Sequence, residues 1–268
     1  MNRFLRFFTF LGRTLEAAMQ GTGQTVELFA RAALQVRHCW KRRRFLLDQL
    51  YTCGIRPLPV VLVVALFTGM ILALQTGIEL DRFGAKDRIA SIIGLGLCRE
   101  MGPFMTALIL TASVGSGIAA EIGTMKVSEE IDALEIMSIR PESFLVMPRL
   151  VAMAIVTPLL TFVTDIVGIL GGCLVSATRL RIAPEQYLKN VVESLSEVLT
   201  YGGLPKDLYT GLVKAFVFGV IIATVGSSAG LRASGGAIGV GRATRSSVIQ
   251  SFVLVIVVGY YLTSFFYT

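Results

Sequence analysis

Five long apolar runs, separated by short polar segments, set the pattern of this chain. Two of the runs, 57–78 and 246–268, contain no charged side chain, and each of the others contains one or two ionisable residues. Since an α-helix rises 1.5 Å per residue, about 20 residues cross the roughly 30 Å hydrocarbon core of a bilayer. The pattern therefore predicts an all-α integral membrane protein, with five transmembrane helices at about 57–79, 89–118, 150–178, 209–231 and 246–267.

The first fifty residues follow a different pattern. Polar side chains recur there every three or four positions, beginning with Arg3, Arg6 and Arg13, and phenylalanine and leucine cover the other faces. This spacing predicts amphipathic helices in 1–50 that lie in the membrane interface, followed by a transmembrane domain over 51–268. A cleaved signal peptide is the alternative, but Arg6 and Arg13 interrupt the apolar stretch that it needs.

Composition and charge agree with a membrane protein. Hydrophobic residues make up 54% of the chain and charged residues 16%, which excludes disorder and argues against an ordinary soluble enzyme. The formal net charge is +7, and the apolar excess indicates anionic lipid rather than nucleic acid as the partner. Lys and Arg are twice as numerous in 1–56, 119–149 and 232–245 as in 79–88 and 179–214. This asymmetry predicts a cytoplasmic N-terminus and a C-terminus on the outer side of the membrane.

The sequence lacks the residues that several kinds of site require. One His and four scattered Cys residues provide neither a metal site nor a His-dependent catalytic triad. No GxxxxGKS or GxxxxGKT string is present to bind a nucleotide phosphate. We therefore expect no cofactor in this chain; if ATP drives this protein, the ATPase is another chain.

Four ionisable residues lie within the predicted spans, where each costs on the order of 3 kcal/mol. Arg99 and Glu100 stand among glycines and a proline, which predicts irregular backbone. Two interpretations stay open for this pair: internal ion pairs that fix helix packing, or a polar lining for a substrate. Asp165 is either a hydrogen-bond partner between helices or a proton relay. Lys214 lies near a predicted span end, and we expect it to snorkel to the membrane surface.

The segment 120–141, between the second and third predicted spans, is amphipathic and acidic. Ser128 is a candidate N-cap for a helix whose first turn carries Glu129 and Glu130. Apolar side chains at helical spacing, including those of Ile131 and Leu134, would form one face. Such a helix suits docking in a groove of a partner protein. A solvated connector is the alternative interpretation.

Five strings in the sequence carry a resemblance to a known family: GMILALQ at 69–75, REMGP at 99–103, AEIGTMKVSEEIDALEIM at 120–137, GILGG at 168–172 and GRATRSSVIQS at 241–251. They resemble the MlaE-type (YrbE-type) permeases, the membrane subunits of ABC systems that move phospholipids between the two membranes of diderm bacteria. The resemblance extends from about residue 45 to the C-terminus, and the acidic string is its most specific part.

The resemblance implies a subunit of the bacterial inner membrane that forms a homodimer. The implied partners are a cytoplasmic ABC ATPase, a periplasmic MCE-domain protein and a small STAS-domain protein, and the implied substrate is a phospholipid. The segment after the second span would be the coupling helix, which transmits ATP-driven closure to the spans. Its candidate residues are Glu121, Met125, Glu129, Glu130, Ile131 and Leu134. The family's lipid pocket corresponds to Leu74, Gln75, Phe83, Arg99 and Glu100, and Ile78 would add apolar lining for the lipid tails.

Other classes of function stay open. An ion-coupled secondary transporter would use Glu100 or Asp165 as its proton carrier and would need no ATPase. Such transporters often contain internal repeats, and none is evident in this sequence. An intramembrane enzyme would need a nucleophile with a base at helical spacing, which no span provides. A purely structural membrane scaffold is the third alternative.

Overall fold

The computed structural model describes residues 23, 25, 27–31, 43–196, 200–201 and 204–268. Over these ranges the chain is a helical bundle, with one antiparallel pair of two-residue strands, β1 (Thr200–Tyr201) and β2 (Leu204–Pro205). A 3₁₀ turn (Lys86–Arg88) precedes the third helix, and a π-helical turn (Glu142–Val146) precedes the fifth. The helices are α1 (Arg43–Gly54), α2 (Leu58–Arg82), α3 (Ile89–Val127), α4 (Glu130–Ile136), α5 (Met147–Arg179), α6 (Pro184–Ser196), α7 (Lys206–Leu231) and α8 (Gly236–Tyr267).

The all-α class and the five predicted transmembrane helices are confirmed. Helices α2, α3, α5, α7 and α8 are each long and apolar enough to cross a membrane. All five extend beyond the predicted spans, and α3 and α8 do so by the most, since α3 continues to Val127 and α8 begins at Gly236. Hydropathy marks the part of a helix inside the hydrocarbon and not its polar extension into the interface. The interfacial helices predicted for 1–50 lie mostly outside the described residues.

Helix α2 packs against α5 through small residues. The buried residues of α2 lie four positions apart, on one helical face: Val61, Ala65, Gly69, Ala73 and Gly77. A Cβ atom on Gly69 would overlap the backbone carbonyl oxygen of Gly168 in α5. The absence of a side chain at Gly69 therefore lets the two backbones approach closely.

Replacing Gly69 with Ala is expected to lower the free energy of unfolding by about 1–3 kcal/mol, because the added methyl group forces α2 away from α5. Gly117→Ala is the matched control, since a Cβ atom there meets nothing within 4 Å. Equilibrium unfolding of both variants in mild detergent measures the difference. Wild-type stability of Gly69→Ala would contradict the close packing of the two helices.

A π-helical turn at Leu97–Met101 interrupts α3 where Arg99 and Glu100 lie. Gly96 and Gly102 flank the turn, so the irregular backbone predicted at this place is confirmed. A π turn closes hydrogen bonds between residues five apart, which changes the direction of the side chains relative to a regular α-helix. Both charged side chains are thereby placed next to α7.

Candidate functional site

Arg99 pairs with an aspartate at the start of α7. Its Nε and Nη2 atoms both lie 2.9 Å from Oδ1 of Asp207, which is fully buried. The Tyr267 hydroxyl, near the end of α8, donates to the same oxygen over 2.6 Å. The Arg99 Cζ atom lies 4.3 Å from the centroid of the Tyr267 ring. Charge-assisted hydrogen bonds and a cation–π contact therefore join α3 to α7 and α8.

Glu100 pairs with Lys214, about two turns further along α7. Lys214 Nζ lies 2.6 Å from Glu100 Oε1 and donates to Thr263 Oγ1 over 2.9 Å. The Lys214 side chain is 1% exposed, so the prediction that it snorkels to the membrane surface is wrong. Because α7 begins at Lys206, Lys214 lies more than two turns inside the helix, where a buried ammonium group needs a counter-ion.

Arg99 and Glu100 each form an ion pair between helices, as the first interpretation of these residues expects. The second interpretation, a polar lining for a substrate, stays a prediction. It is compatible with the geometry, because the Arg99 and Glu100 side chains are 36% and 41% exposed. We call Arg99, Glu100, Asp207, Lys214 and Tyr267 the polar cluster.

The other predicted pocket residues lie on a different surface. Leu74, Gln75 and Ile78 are on the exposed side of α2, and Phe83 follows the end of that helix with its ring in the open. Within one chain they form an exposed, mostly apolar surface, whereas the polar cluster lies between α3, α7 and α8. A single pocket that contains both these residues and the polar cluster stays a prediction, and the surface of another subunit would have to enclose it.

Asp165, in α5, is buried against the backbone of α3. A Cβ atom on Gly102 would overlap its Oδ1 atom, and neither carboxylate oxygen has a hydrogen-bond partner among the described residues. The neighbouring Thr164 makes the interhelical hydrogen bond instead, to Thr106 over 2.9 Å. The interpretation of Asp165 as such a partner is therefore wrong, and the proton relay stays a prediction. In the described part of the chain, no group of three His, Cys, Asp or Glu side chains is arranged to hold a metal ion.

Replacing Arg99 with Ala is expected to lower the free energy of unfolding by about 1.5–3 kcal/mol, because the buried Asp207 loses a charged hydrogen-bond partner. Adding Asp207→Asn should recover part of the loss, since an amide carries no charge to leave unpaired. Unfolding in mild detergent measures both effects, with Arg88→Ala as the control at an exposed arginine of the preceding turn. Equal stabilities of Arg99→Ala and wild type would show that the pair does not hold α3 to α7.

The segment after α3 is not one continuous helix. Ser128 is the C-cap of α3, and its Oγ atom lies within hydrogen-bond distance of two acceptors, the Thr124 backbone oxygen at 2.9 Å and Glu130 Oε1 at 3.0 Å. The predicted role of Ser128 as an N-cap is therefore wrong. Glu129 takes a left-handed backbone conformation with φ 63°, which separates α3 from α4. Of the coupling residues, Glu121 and Met125 lie on α3, Glu129 lies at the break, and Glu130, Ile131 and Leu134 lie on α4.

The apolar face of α4 points into the bundle. Ile131 is buried in the main core cluster, and Leu134 packs against the same cluster. The expectation that Ile131 is presented to a partner is therefore wrong, because it is buried against its own chain. Leu134 is partly buried, and its contact with a partner stays a prediction. The exposed apolar residues are instead Ile136, at 85%, and Met137, at 61%.

Sequence reasoning missed Arg149, a buried residue at the start of α5. Its Nη2 atom lies 2.9 Å from Oε1 of Glu121, and its Nη1 atom donates to the Leu145 backbone oxygen over 2.9 Å. Glu121, a predicted coupling residue, therefore ties the end of α3 to the start of α5. The one signal for Arg149 in the sequence is its place directly before an apolar run. The prediction assigned it to the preceding loop for that reason.

Five apolar spans with charged pairs between them define a multi-pass membrane protein. The family model described as Permease MlaE matches residues 46–265. A probable ABC transporter permease protein of Rickettsia conorii is 40% identical over 222 residues, 83% of each chain. A probable ABC transporter permease protein of Synechocystis sp. is 36% identical over 221 residues, 82% of this chain and 81% of that protein.

A third relative is a plant protein. The chloroplastic protein trigalactosyldiacylglycerol 1 of Arabidopsis thaliana is 33% identical over 221 residues, 82% of this chain and 61% of that protein. Together with the family model, these similarities confirm the resemblance found in the five sequence strings. The chain belongs to the MlaE permease family of ABC transporters.

Proposed function

We propose that this chain is the membrane subunit of an ATP-driven transporter that moves phospholipids between the inner and outer membranes of a bacterium. The observation that carries the proposal is the partial exposure of Arg99 and Glu100 within an apolar span. A diacyl lipid needs an apolar surface for its tails and a few polar groups for its phosphate. Leu74 and Ile78 offer exposed apolar surface, and the name of the Arabidopsis relative refers to a glycerolipid.

The partner ATPase would dock at the break between α3 and α4. Membership of an ABC permease family implies such a partner, and ATP with Mg²⁺ would bind to it. The exposed Ile136 and Met137 follow the acidic positions Glu129 and Glu130, which together suit an apolar groove with a basic rim. The ion pair between Glu121 and Arg149 would then transmit movement of this segment to α5.

A homodimer would complete the lipid pocket. Within one chain, only 11% of the most apolar stretch of α8 is buried, whereas 50–56% of the corresponding stretches of α3, α5 and α7 is buried. A second copy packed along α8 would bury this surface, and Tyr267 would bring the polar cluster close to the interface. The exposed residues of α2 would then face a cavity shared by the two copies.

The remaining partners follow from the same arrangement. A periplasmic MCE-domain protein would exchange lipid at the end of the bundle that carries the polar cluster, and a STAS-domain protein would attach to the ATPase. In this proposal the chain would lie in the inner membrane with its N-terminus in the cytoplasm and its C-terminus in the periplasm, and the distribution of basic residues supports this orientation.

Reconstitution tests the proposed activity. The chain, together with the proteins that co-purify with it, is inserted into vesicles that contain a fluorescent phospholipid, and transfer to acceptor vesicles is followed. We expect transfer that requires ATP and that slows in Arg99→Ala while the complex stays assembled. ATP-independent transfer would contradict the ABC mechanism, and wild-type transfer in Arg99→Ala would remove Arg99 from the lipid pocket.

An ion-coupled secondary transporter is the second candidate. The observation that favours it is the buried carboxylate of Asp165, which has no hydrogen-bond partner in the part of the chain that the structure describes. Glu100 suits proton transport less well, because Lys214 already neutralises it. In this case a pH gradient across the same vesicles would drive transfer without ATP, and Asp165→Asn would abolish it. Unchanged ATP-driven transfer in Asp165→Asn would contradict this candidate.

A further inference from the structure

A cleft with two arginines lies at the end of the bundle opposite the polar cluster. Arg232, Ser234, Arg242, Ser246 and Gln250 supply its polar side chains, and its volume is about 440 Å³. Arg232 is 18 residues from Lys214 along α7 and its C-cap, which corresponds to about 27 Å of helix. The cleft is therefore separate from the site at Arg99 and Glu100.

The loop between α7 and α8 brings the two arginines to one cleft. Gly235 and Gly236 have φ values of 86° and 70°, a left-handed conformation that lets the chain reverse within a few residues. A Cβ atom on Gly235 would lie 3.4 Å from Arg242 Nη2, so the turn packs directly under the guanidinium group. Gly123 of α3 packs against Ala233 in the same loop, which places the cleft at the end of α3 that leads into α4.

An apolar groove lies next to this cleft, between α7 and α8. Its volume is about 590 Å³, within the roughly 300–1,000 Å³ typical of ligand sites. Gln250 lines both the groove and the cleft, so the two are neighbours along α8. The apolar lining includes Phe29, Val217, Val220, Ile221, Val253 and Leu254.

We propose that the cleft and the groove together form a binding site for one glycerophospholipid, with its phosphate at Arg232 and Arg242 and an acyl chain between α7 and α8. Guanidinium groups bind phosphate oxygens through charge-assisted hydrogen bonds, and Ser234, Ser246 and the Gln250 amide add neutral partners. The groove surrounds an acyl chain with mostly apolar side chains, and Thr25, Thr224 and Gln250 are the polar residues of its lining. Under the predicted orientation this lipid belongs to the cytoplasmic leaflet. The inference goes beyond the proposed function, because the site binds lipid whether or not the chain transports it.

Photolabelling of the full chain tests the site. The protein is placed in vesicles of phosphatidylethanolamine and phosphatidylglycerol with a trace of phosphatidylglycerol that carries a diazirine on one acyl chain. After illumination, mass spectrometry measures the lipid adducts on the peptide that contains residues 249–254. We expect Arg232→Gln/Arg242→Gln to reduce this adduct at least about tenfold, since two charged hydrogen bonds are lost. Val217→Trp, which fills the groove, should reduce it as well.

Arg245→Gln is the matched control, because Arg245 is exposed one turn from Arg242 and does not line the cleft. Its adduct should stay at the wild-type level. Inorganic phosphate and glycerol 3-phosphate, added at millimolar concentration, should not compete; loss of the adduct in their presence would identify a site for soluble phosphates and overturn the proposal. Unchanged labelling in the double arginine variant would overturn the proposal too.

Discussion

Replacing Glu100 with Ala is expected to lower the free energy of unfolding by about 3–5 kcal/mol, because the ammonium group of Lys214 is then buried without an anion. Lys214 would retain the Thr263 hydroxyl and the Arg99 backbone oxygen, at 2.9 Å and 3.0 Å. Neither is charged, so neither offsets the desolvation of the ammonium group. Equilibrium unfolding of the purified chain in mild detergent measures the loss.

The double variant Glu100→Ala/Lys214→Met separates the charge from the packing. It removes the buried charge and keeps an unbranched side chain of similar length, so most of the stability should return. Glu79→Ala is the control, because Glu79 and Arg82 are both exposed and 3.5 Å apart, and such pairs contribute at most about 1 kcal/mol. A Glu100→Ala variant as stable as the Glu79→Ala control would show that the buried pair does not hold the spans together.

Replacing Ile136 with Asp is expected to weaken the binding of the partner ATPase by about 30-fold or more, a typical loss when an interface hot spot is removed. Ile136 is 85% exposed, so the substitution leaves the stability of the chain itself nearly unchanged. ATP-dependent lipid transfer should fall with the binding. Retention of the ATPase on the tagged chain, measured over a range of ATPase concentrations, gives the change in affinity.

Ile136→Met is the matched control, since it keeps an apolar side chain at the same place and should keep the affinity within a few-fold. Reversing the charge at Glu129 and Glu130 should also release the ATPase, because both side chains are exposed beside the proposed docking surface. Undiminished ATPase retention in Ile136→Asp would show that the partner docks elsewhere on the chain.

Hydropathy was sufficient to predict the five spans, because each transmembrane helix is a local, contiguous signal of about 20 apolar residues. The π turn was predictable in position for the same reason, since the glycines and the proline around Arg99 are neighbours in sequence. The length of α3 was underestimated because its last residues are polar and continue the helix beyond the hydrocarbon.

The partners of the charged residues were not predictable from the sequence. Asp207 is 108 residues from Arg99, and Lys214 is 114 residues from Glu100, so only the packing of α7 on α3 brings them together. Lys214 was misread because the predicted span began at 209, whereas the helix begins at Lys206. The predicted start was three residues too late, so Lys214 was expected at the membrane interface, whereas it is buried in the bundle.

The coupling segment shows a different limit. The spacing of Ile131 and Leu134 correctly indicated one apolar face, but periodicity does not say whether that face contacts the same chain or a partner. The left-handed conformation of Glu129 also has no signal in its residue type, since glycine or asparagine is the usual choice for positive φ.

Purification of the tagged protein from its native host in a gentle detergent, with mass spectrometry of the bound proteins and lipids, tests the central claim most directly. We expect an ABC ATPase and an MCE-domain protein to co-purify with this chain, together with phospholipid enriched over the bulk membrane. A chain that comes out alone, with lipids in the proportions of the bulk membrane, would contradict the assignment as the membrane subunit of an ATP-driven lipid transporter.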